Sequence, residues 1–298
     1  MFSLCSRQVK VDYRAGAYLL IEDDGRRSRT ETVHMESWEK FQEYVESLDN
    51  VPGRKIWDEV WFRGQGDAEW RLHTTLERRT SKVHAVSSYL NLVSEIKPAI
   101  ETFTGATFDL PERMEVEEMC REYDRFEFWL RQSTTYLAHL RHCGFPSPLL
   151  DWSKSPYVAA YFAFARAKHD GNVAIFAYRE RANGAGFKIG GGDMPQIVSF
   201  GPIVKTHKRH FRQQSRYTAC VRWEGDQWFF EPHDSVFGQT DSLQQDLLWK
   251  ITIPAKERMK AISFLDKFNL NEFTLFDSEE ALLEMLAMRV IDMREGRL

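Results

Sequence analysis

The sequence predicts an α+β fold built on a mixed or antiparallel sheet, with a helical insert over about 83–143. Three observations predict it. Strand-like and helix-like runs follow one another without the strict βαβ order of a doubly wound parallel sheet. Residues 172–178 (Asn-Val-Ala-Ile-Phe-Ala-Tyr) and 247–253 (Leu-Leu-Trp-Lys-Ile-Thr-Ile) have the apolar, β-branched character of central strands. Between Val83 and Cys143 apolar residues recur at three and four, the helical period.

In chain order, residues 17–22 are read as an early strand, ended by the polar stretch Asp23 to Thr30. Ser37 then N-caps a helix whose core stripe is Trp38, Phe41, Val45 and Leu48, stopped by Pro52-Gly53. Residues 56–63 form a strand that delivers Arg63 to its end, next to Gly64. Pro98 and Leu110-Pro111 interrupt the helical insert and divide it into three helices. Gly144 to Pro148 closes the last of them, Leu149 to Ser153 is a short buried segment, and Pro156 opens a helix to about Lys168. The strands at 172–178 and 247–253 follow, Pro254 ending the second, and two helices flank Phe268 to Phe276. The expected organisation is an N-terminal strand and helix over 1–55 packed on a main unit over 56–298, together one compact body.

The chain has 298 residues, 43% of them hydrophobic and 13% aromatic, which excludes disordered and low-complexity classes. A net charge of −4 provides no global basic field, so any polyanion site is local. Cys5, Cys120, Cys143 and Cys220 form no CxxC pair or disulfide framework, which fits a reducing cytoplasm. No apolar run approaches the ~18 residues of a membrane span, and the first ten residues are not a signal peptide. There is no GxxxxGK[ST], HExxH or GxSxG, and no metal is expected, the His207/His210 spacing being the one weak exception.

Three segments carry the candidate chemistry. In Arg63-Gly64-Gln65-Gly66, the arginine offers a planar fork for phosphate or carboxylate, and the glycines let a ligand approach the backbone; the plain alternative is a turn whose arginine pairs with a surface acid. Asp151, between Leu150 and Trp152, needs a partner to offset its desolvation. Ser153 and Ser155 stand at the mouth of the next helix, placed for an amide or phosphate or simply for capping, and Tyr161 on that helix is a ring platform or a core residue. In the third segment no acid falls between Asp193 and Glu224, whereas Lys205, Lys208, Arg209, Arg212, Arg216 and Arg222 do, interleaved with Phe211, Tyr217 and Trp223. That suits the phosphates of a dinucleotide or nucleic acid, unless acids of the insert balance it.

At these segments the chain resembles the FRG domain family. The likeness is carried by Phe62-Arg63-Gly64, by Gly144-Phe-Pro-Ser-Pro-Leu-Leu-Asp-Trp-Ser153 followed by Pro156 and Val158 to Ala163, by Gln213 to Thr218, and by Ile251 to Pro254 and Thr274 to Phe276. It departs at Pro148, where the family usually has Arg, at Arg141, usually Gln, and at Ser215, usually Gly. The lost arginine leaves Asp151 to pair with Arg63 or Arg209. A fainter likeness joins the order Arg63-Gly64, Ser153-Lys154-Ser155 with Tyr161, then Gln213 to the three-part site of ADP-ribosyltransferase toxins.

This second resemblance implies an ADP-ribosyltransferase-like sheet and NAD as substrate. Arg63 with Gly64 and Gln65 would hold the diphosphate or ribose, and Ser153 or Ser155 the nicotinamide amide. Tyr161 would stack on the ring, Gln213 would orient the ribose, and Asp151 would supply negative charge. It further implies a cytoplasmic toxin or phage-defence effector with an antitoxin partner, modifying a macromolecule, RNA first, through Lys205, Lys208, Arg209, Arg212 and Arg216. The alternatives are a non-catalytic nucleotide or RNA-binding module, and an NAD glycohydrolase or nuclease.

Overall fold

The computed structural model describes residues 30–49, 59–121, 130–167, 170–180, 194–200, 208–237 and 246–295, and the backbone of 20–21 and 27–28. Strands β1 (Leu20–Ile21) and β2 (Arg27–Ser28) form a small antiparallel pair, so the early strand is described only at its last two residues but one. Strand β3 (Thr30–His34) leads into helix α1 (Trp38–Asp49), where Ser37 Oγ accepts from the Lys40 backbone and the expected stripe Trp38, Phe41 and Val45 is buried. Strand β4 (Val60–Gln65) is followed by α2 (Thr75–Arg79), α3 (Val86–Thr104), α4 (Arg113–Met119) and α5 (Thr134–His142). Next come β5 (Leu150–Ser153), α6 (Pro156–Ala165), β6 (Asn172–Arg179), β7 (Gln196–Phe200) and α7 (Arg209–Arg212). Strands β8 (Ser215–Glu224), β9 (Gln227–Phe230) and β10 (Leu247–Pro254) precede α8 (Arg258–Lys267), α9 (Glu272–Phe276) and α10 (Glu279–Ala287).

The fold is α+β. Among the described residues an 8-stranded sheet runs β3-β10-β6-β4-β5-β8-β7, with β9 on β8. Only β3 joins its neighbour in parallel, so the sheet is mixed. On one face α1, α6 and α8 enclose Trp38, Phe41, Phe164, Ile175, Ile251 and Leu265. The insert helices pack on β7, β8 and β9 through Tyr89, Val93, Tyr136, Leu140, Tyr217 and Trp228. A third cluster around Trp61, Leu72, Trp152, Tyr178 and Phe237 covers the remaining face.

Three expectations are corrected. Strand β4 runs past Arg63 to Gln65, so Arg63 is inside the strand rather than at its end. Pro98 does not divide the insert: α3 is continuous to Thr104, because Tyr89, Leu90 and Val93 before the proline, and Ile96 and Ile100 beside it, all pack on the same cluster. Helix α3 ends instead at Gly105, with φ +68°. At the C-terminal end, 268–276 is not a bare connection, since α9 forms within it on an Asn271 cap that accepts from Thr274 N at 3.1 Å.

Two local features shape the centre of the sheet. Strands β4 and β5 are in register only at Phe62 and Ser153. Beyond that point the Asp151 carbonyl, facing β4, accepts from Arg63 Nη1 at 2.8 Å in place of a ladder bond. Helix α6 meanwhile is apolar on all sides and rich in alanine, with Ala159, Ala160 and Ala163 fully buried, which lets its backbone lie directly on β4.

Candidate functional site

Where β4 and β5 diverge, a cleft of about 880 Å³ opens, walled by both strands, the ends of α2, α5 and α6, the start of α7 and the end of α9. At its floor Arg63 holds the Asp151 carbonyl, and Arg141 Nη2 holds the Asp151 carboxylate at 2.7 Å. Arg78, Arg166 and Arg209 line the same space. Burial lowers the pKa of the Arg63 guanidinium to about 10; Asp151 opposes the shift, and Arg141, Arg78 and Arg166 add to it. Arg78 is lowered by the same causes, burial first. Both remain cations at neutral pH, held where positive charge is already crowded.

Against these five guanidiniums, and that of Arg71, which Asp234 holds at 3.2 Å, the cleft wall sets the carboxylates of Asp151 and Glu69. Buried Arg63 Nε, Arg141 Nε, Gln65 Oε1 and Asp151 Oδ1 have no hydrogen-bond partner among the described residues. Unmet donors and acceptors in one place, with surplus positive charge, suit an anionic ligand that also brings its own donors. Trp70, Phe162 and Phe276 give the same wall flat apolar surface.

The structure brings Arg63, Gly64, Gln65, Asp151, Ser153, Arg209 and Gln213 together on this cleft. Ser153 Oγ donates to the Gln213 carbonyl at 2.7 Å and accepts from Ser155 N at 3.0 Å, tying β5 to the turn before β8. Gln213 Nε2 donates to the Leu275 carbonyl at 3.2 Å. Ser155 is a helix cap, its Oγ accepting from Val158 N at 3.3 Å. Gly64 and Gly66 line the cleft and also serve packing: a Cβ on Gly64 would stand 1.9 Å from the Ala159 carbonyl, and one on Gly66 2.3 Å from the Arg166 carbonyl. They admit the α6 backbone.

Tyr161 is not brought to the cleft. One step round the helix from Phe162, it faces an adjoining cavity of about 450 Å³ that shares Phe162, Arg166, Arg209 and Phe276 with the cleft, and donates to Glu272 at 2.7 Å; burial, then Glu272, raises its pKa. Phe162 and Phe276 are the rings that line the cleft beside it. Tyr161→Phe is accordingly expected to change ligand affinity in the cleft by less than about twofold while costing roughly 1 kcal/mol of stability for one hydrogen bond. Calorimetric titration and a thermal melt read both, and a tenfold loss of affinity would return Tyr161 to the site.

The basic stretch is largely neutralised. Lys205 lies outside the described residues, and Lys208, the residue before α7, is exposed. Arg209 reaches the cleft, its Nε donating to the Phe276 carbonyl at 3.3 Å and its guanidinium 5.2 Å from the Phe276 ring centre. Arg212 pairs with Asp277 at 3.0 Å. Buried Arg216 pairs with Glu59, which Lys154 also holds. Arg222 pairs with Glu231 at 2.9 Å and with Glu224. These acids come from beside β4, the end of β8, the residue after β9 and the end of α9 rather than the insert, and of Lys208, Arg209, Arg212 and Arg216 the cleft takes Arg209.

Sequence reasoning missed Arg78 and Arg166 entirely and noted Arg141 only as a departure from the resembled motif. Among the described residues no group of His, Cys, Asp and Glu is placed to hold a metal, and no helix is long and apolar enough to cross a membrane. Residues 58–172 match the family model of the FRG domain. No curated protein and no solved structure matches the chain. The matched span supplies Arg63, Arg78, Arg141, Asp151, Ser153 and Arg166, while Arg209, Gln213 and Phe276 complete the cleft from beyond it.

Proposed function

We propose that this chain, whose residues 58–172 are an FRG domain, is an NAD-dependent ADP-ribosyltransferase acting on a macromolecular acceptor, RNA first among those to try. The observation that carries the reading is the guanidinium-rich cleft of about 880 Å³, within the usual range of a small-molecule site and bordered by flat aromatic surface. On this reading Arg63, Arg78 and Arg141 hold the diphosphate bidentately, and Phe162 or Trp70 takes a ring face. Ser153 and Gln213 sit beside the ribose and the nicotinamide amide.

The chemistry asks for positioning more than for a strong base. Nicotinamide leaves as a neutral molecule, and positive charge develops on the ribose as its bond breaks. Asp151 Oδ1, without a partner among the described residues, is the negative pole for that charge, and Arg141 on Oδ2 fixes its orientation. A cytoplasmic toxin or defence role with an antitoxin partner extends the same reading by analogy with ADP-ribosyltransferase toxins.

A second reading, non-catalytic binding of a phosphate-bearing ligand, has one observation in its favour: the floor carboxylate is already neutralised by Arg141. Adenine-labelled NAD, incubated with RNA, DNA or cell lysate, separates the cases. Nicotinamide release with label on an acceptor supports transfer. A rise in melting temperature with NAD but no release points to the binding module, and release without labelled acceptor to a glycohydrolase. No binding of NAD at all would overturn the proposal.

A further inference from the structure

Behind the cleft wall three rings form a chain that the proposed transfer does not use. His142, the last residue of α5, lines the cleft. Its Nε2 is 2.8 Å from the Tyr217 hydroxyl, and the same hydroxyl is 2.9 Å from His210 Nδ1. Tyr217 on β8 and His210 on α7 are buried. The Tyr217 ring stacks on His210 at 5.6 Å and meets His142 edge-on at 5.8 Å. The phenol both donates and accepts, so its one proton and a lone pair link the two imidazoles through a single hydroxyl.

We infer that His142, Tyr217 and His210 form a proton relay opening into the cleft, with His142 taking the proton of the acceptor nucleophile. Its role in ADP-ribosyl transfer rests on the function proposed above; the relay itself does not. A phenol has one proton, so it donates to one imidazole nitrogen and accepts N–H from the other, which couples the tautomers of the two histidines. With Nε2–H of His142 directed at the Tyr217 oxygen, Tyr217 O–H is directed at His210 Nδ1.

A proton that reaches His142 Nδ1 makes an imidazolium. Its Nε2 proton passes to Tyr217 as the Tyr217 proton passes to His210 Nδ1, and no phenolate accumulates. Burial, with Asp151 adding to it, raises the Tyr217 pKa and keeps the phenol protonated. The charged groups facing Tyr217 are Asp151 from β5, Arg141 from α5 and Arg216 from β8. In the transfer, the N-glycosidic bond of NAD breaks with its electron pair on nicotinamide. The nucleophile bonds to the ribose carbon released, and its proton goes to His142 Nδ1.

The test follows the ring signals of His142 and His210 by NMR in the labelled full chain over roughly pH 5–9, beside transfer measured with adenine-labelled NAD. In the wild type the two histidines should titrate as a coupled pair, each signal showing both steps. Tyr217→Phe should make them independent and slow transfer roughly tenfold or more. His142→Gln should slow transfer by about 10²–10⁴-fold with NAD affinity within about twofold. Wild-type transfer should fall on the acid side as His142 is protonated, and both variants should lose that limb.

Independent titration in the wild type, or Tyr217→Phe leaving both titration and transfer unchanged, would overturn the relay. Should Tyr217→Phe fail to fold, His142→Gln decides: a His210 titration left unchanged by it overturns the relay, and a single simple step supports it. If the wild type releases no nicotinamide, the transfer reading fails on its own while the NMR titration still decides the relay.

Discussion

Arg63→Ala is expected to weaken NAD binding at least about a hundredfold, or about 2.7 kcal/mol, and to abolish nicotinamide release. The loss follows from where the charge sits. Arg63 is on the cleft floor, with Nη1 committed to the Asp151 carbonyl and Nε without a partner among the described residues. A diphosphate would complete that fork. Burial and the neighbouring arginines have lowered its pKa to about 10. A cation whose pKa is lower folded than unfolded costs stability at every pH below about 10, and the cost fades only as the pH rises from there toward the ordinary arginine value. An anion in the cleft relieves it. Removing Arg63 therefore relieves one cost while leaving the Asp151 carbonyl unbonded, and the ligand-free melting temperature should move by only a few degrees. The rise produced by NAD should vanish. Arg63→Lys should recover little, because one ammonium cannot hold the carbonyl and a phosphate in the same plane. Calorimetric titration and thermal melts of the three proteins measure this, and wild-type affinity in Arg63→Ala would move the diphosphate to Arg166 and Arg209.

The parts of this structure legible in the sequence are those set by local periodicity. The strands at 172–179 and 247–254, helix α1 and the α6 helix opening at Pro156 follow from apolar spacing and caps, and they stand close to their expected bounds, α6 ending at Ala165 where about Lys168 was expected. The cleft was legible where its residues sit in contiguous motifs: Arg63 with Gln65, Asp151 with Ser153, and Gln213. It was illegible where convergence depends on tertiary packing. Arg78 and Arg166 stand at helix ends like any solvated arginine, and only the packing of α2 and α6 beside β4 turns them toward Arg63. Charge in sequence was a poor guide to charge in space, since the acid-free run from 194 to 223 meets Glu59, Asp277 and Glu231 in the fold. The partner of Asp151 shows the same limit: neither Arg63 nor Arg209 takes its carboxylate. Arg141 does, so the two departures from the resembled motif, arginine gained at 141 and lost at 148, restore one guanidinium to one carboxylate from a different element.

Gly64→Ala should be the most destabilising single methyl in the domain, costing on the order of 3 kcal/mol or more, with a melting temperature lower by roughly 6–12 °C. Nothing in the glycine's own dihedral angles demands it; the demand comes from across the interface. The added Cβ would meet the Ala159 carbonyl oxygen at 1.9 Å and Ala163 N at 2.6 Å, and both are backbone atoms of a helix that no rotamer change can move. Helix α6 would have to lift from β4, opening the apolar cluster that includes Phe62, Val158 and Phe164. Because Arg63 and Gln65 flank the substituted position on the same strand, ligand affinity should fall together with stability, whereas Arg63→Ala separates the two. Gly144→Ala is the internal control. Its Cβ would meet nothing within 4 Å, but its φ of +86° is one an alanine resists, so it should cost about 1 kcal/mol through the backbone alone. Denaturant unfolding of both variants reads the difference. A Gly64→Ala protein as stable as Gly144→Ala would mean that α6 has room to withdraw, and the short contact between helix and strand would then not be what holds the cleft in shape.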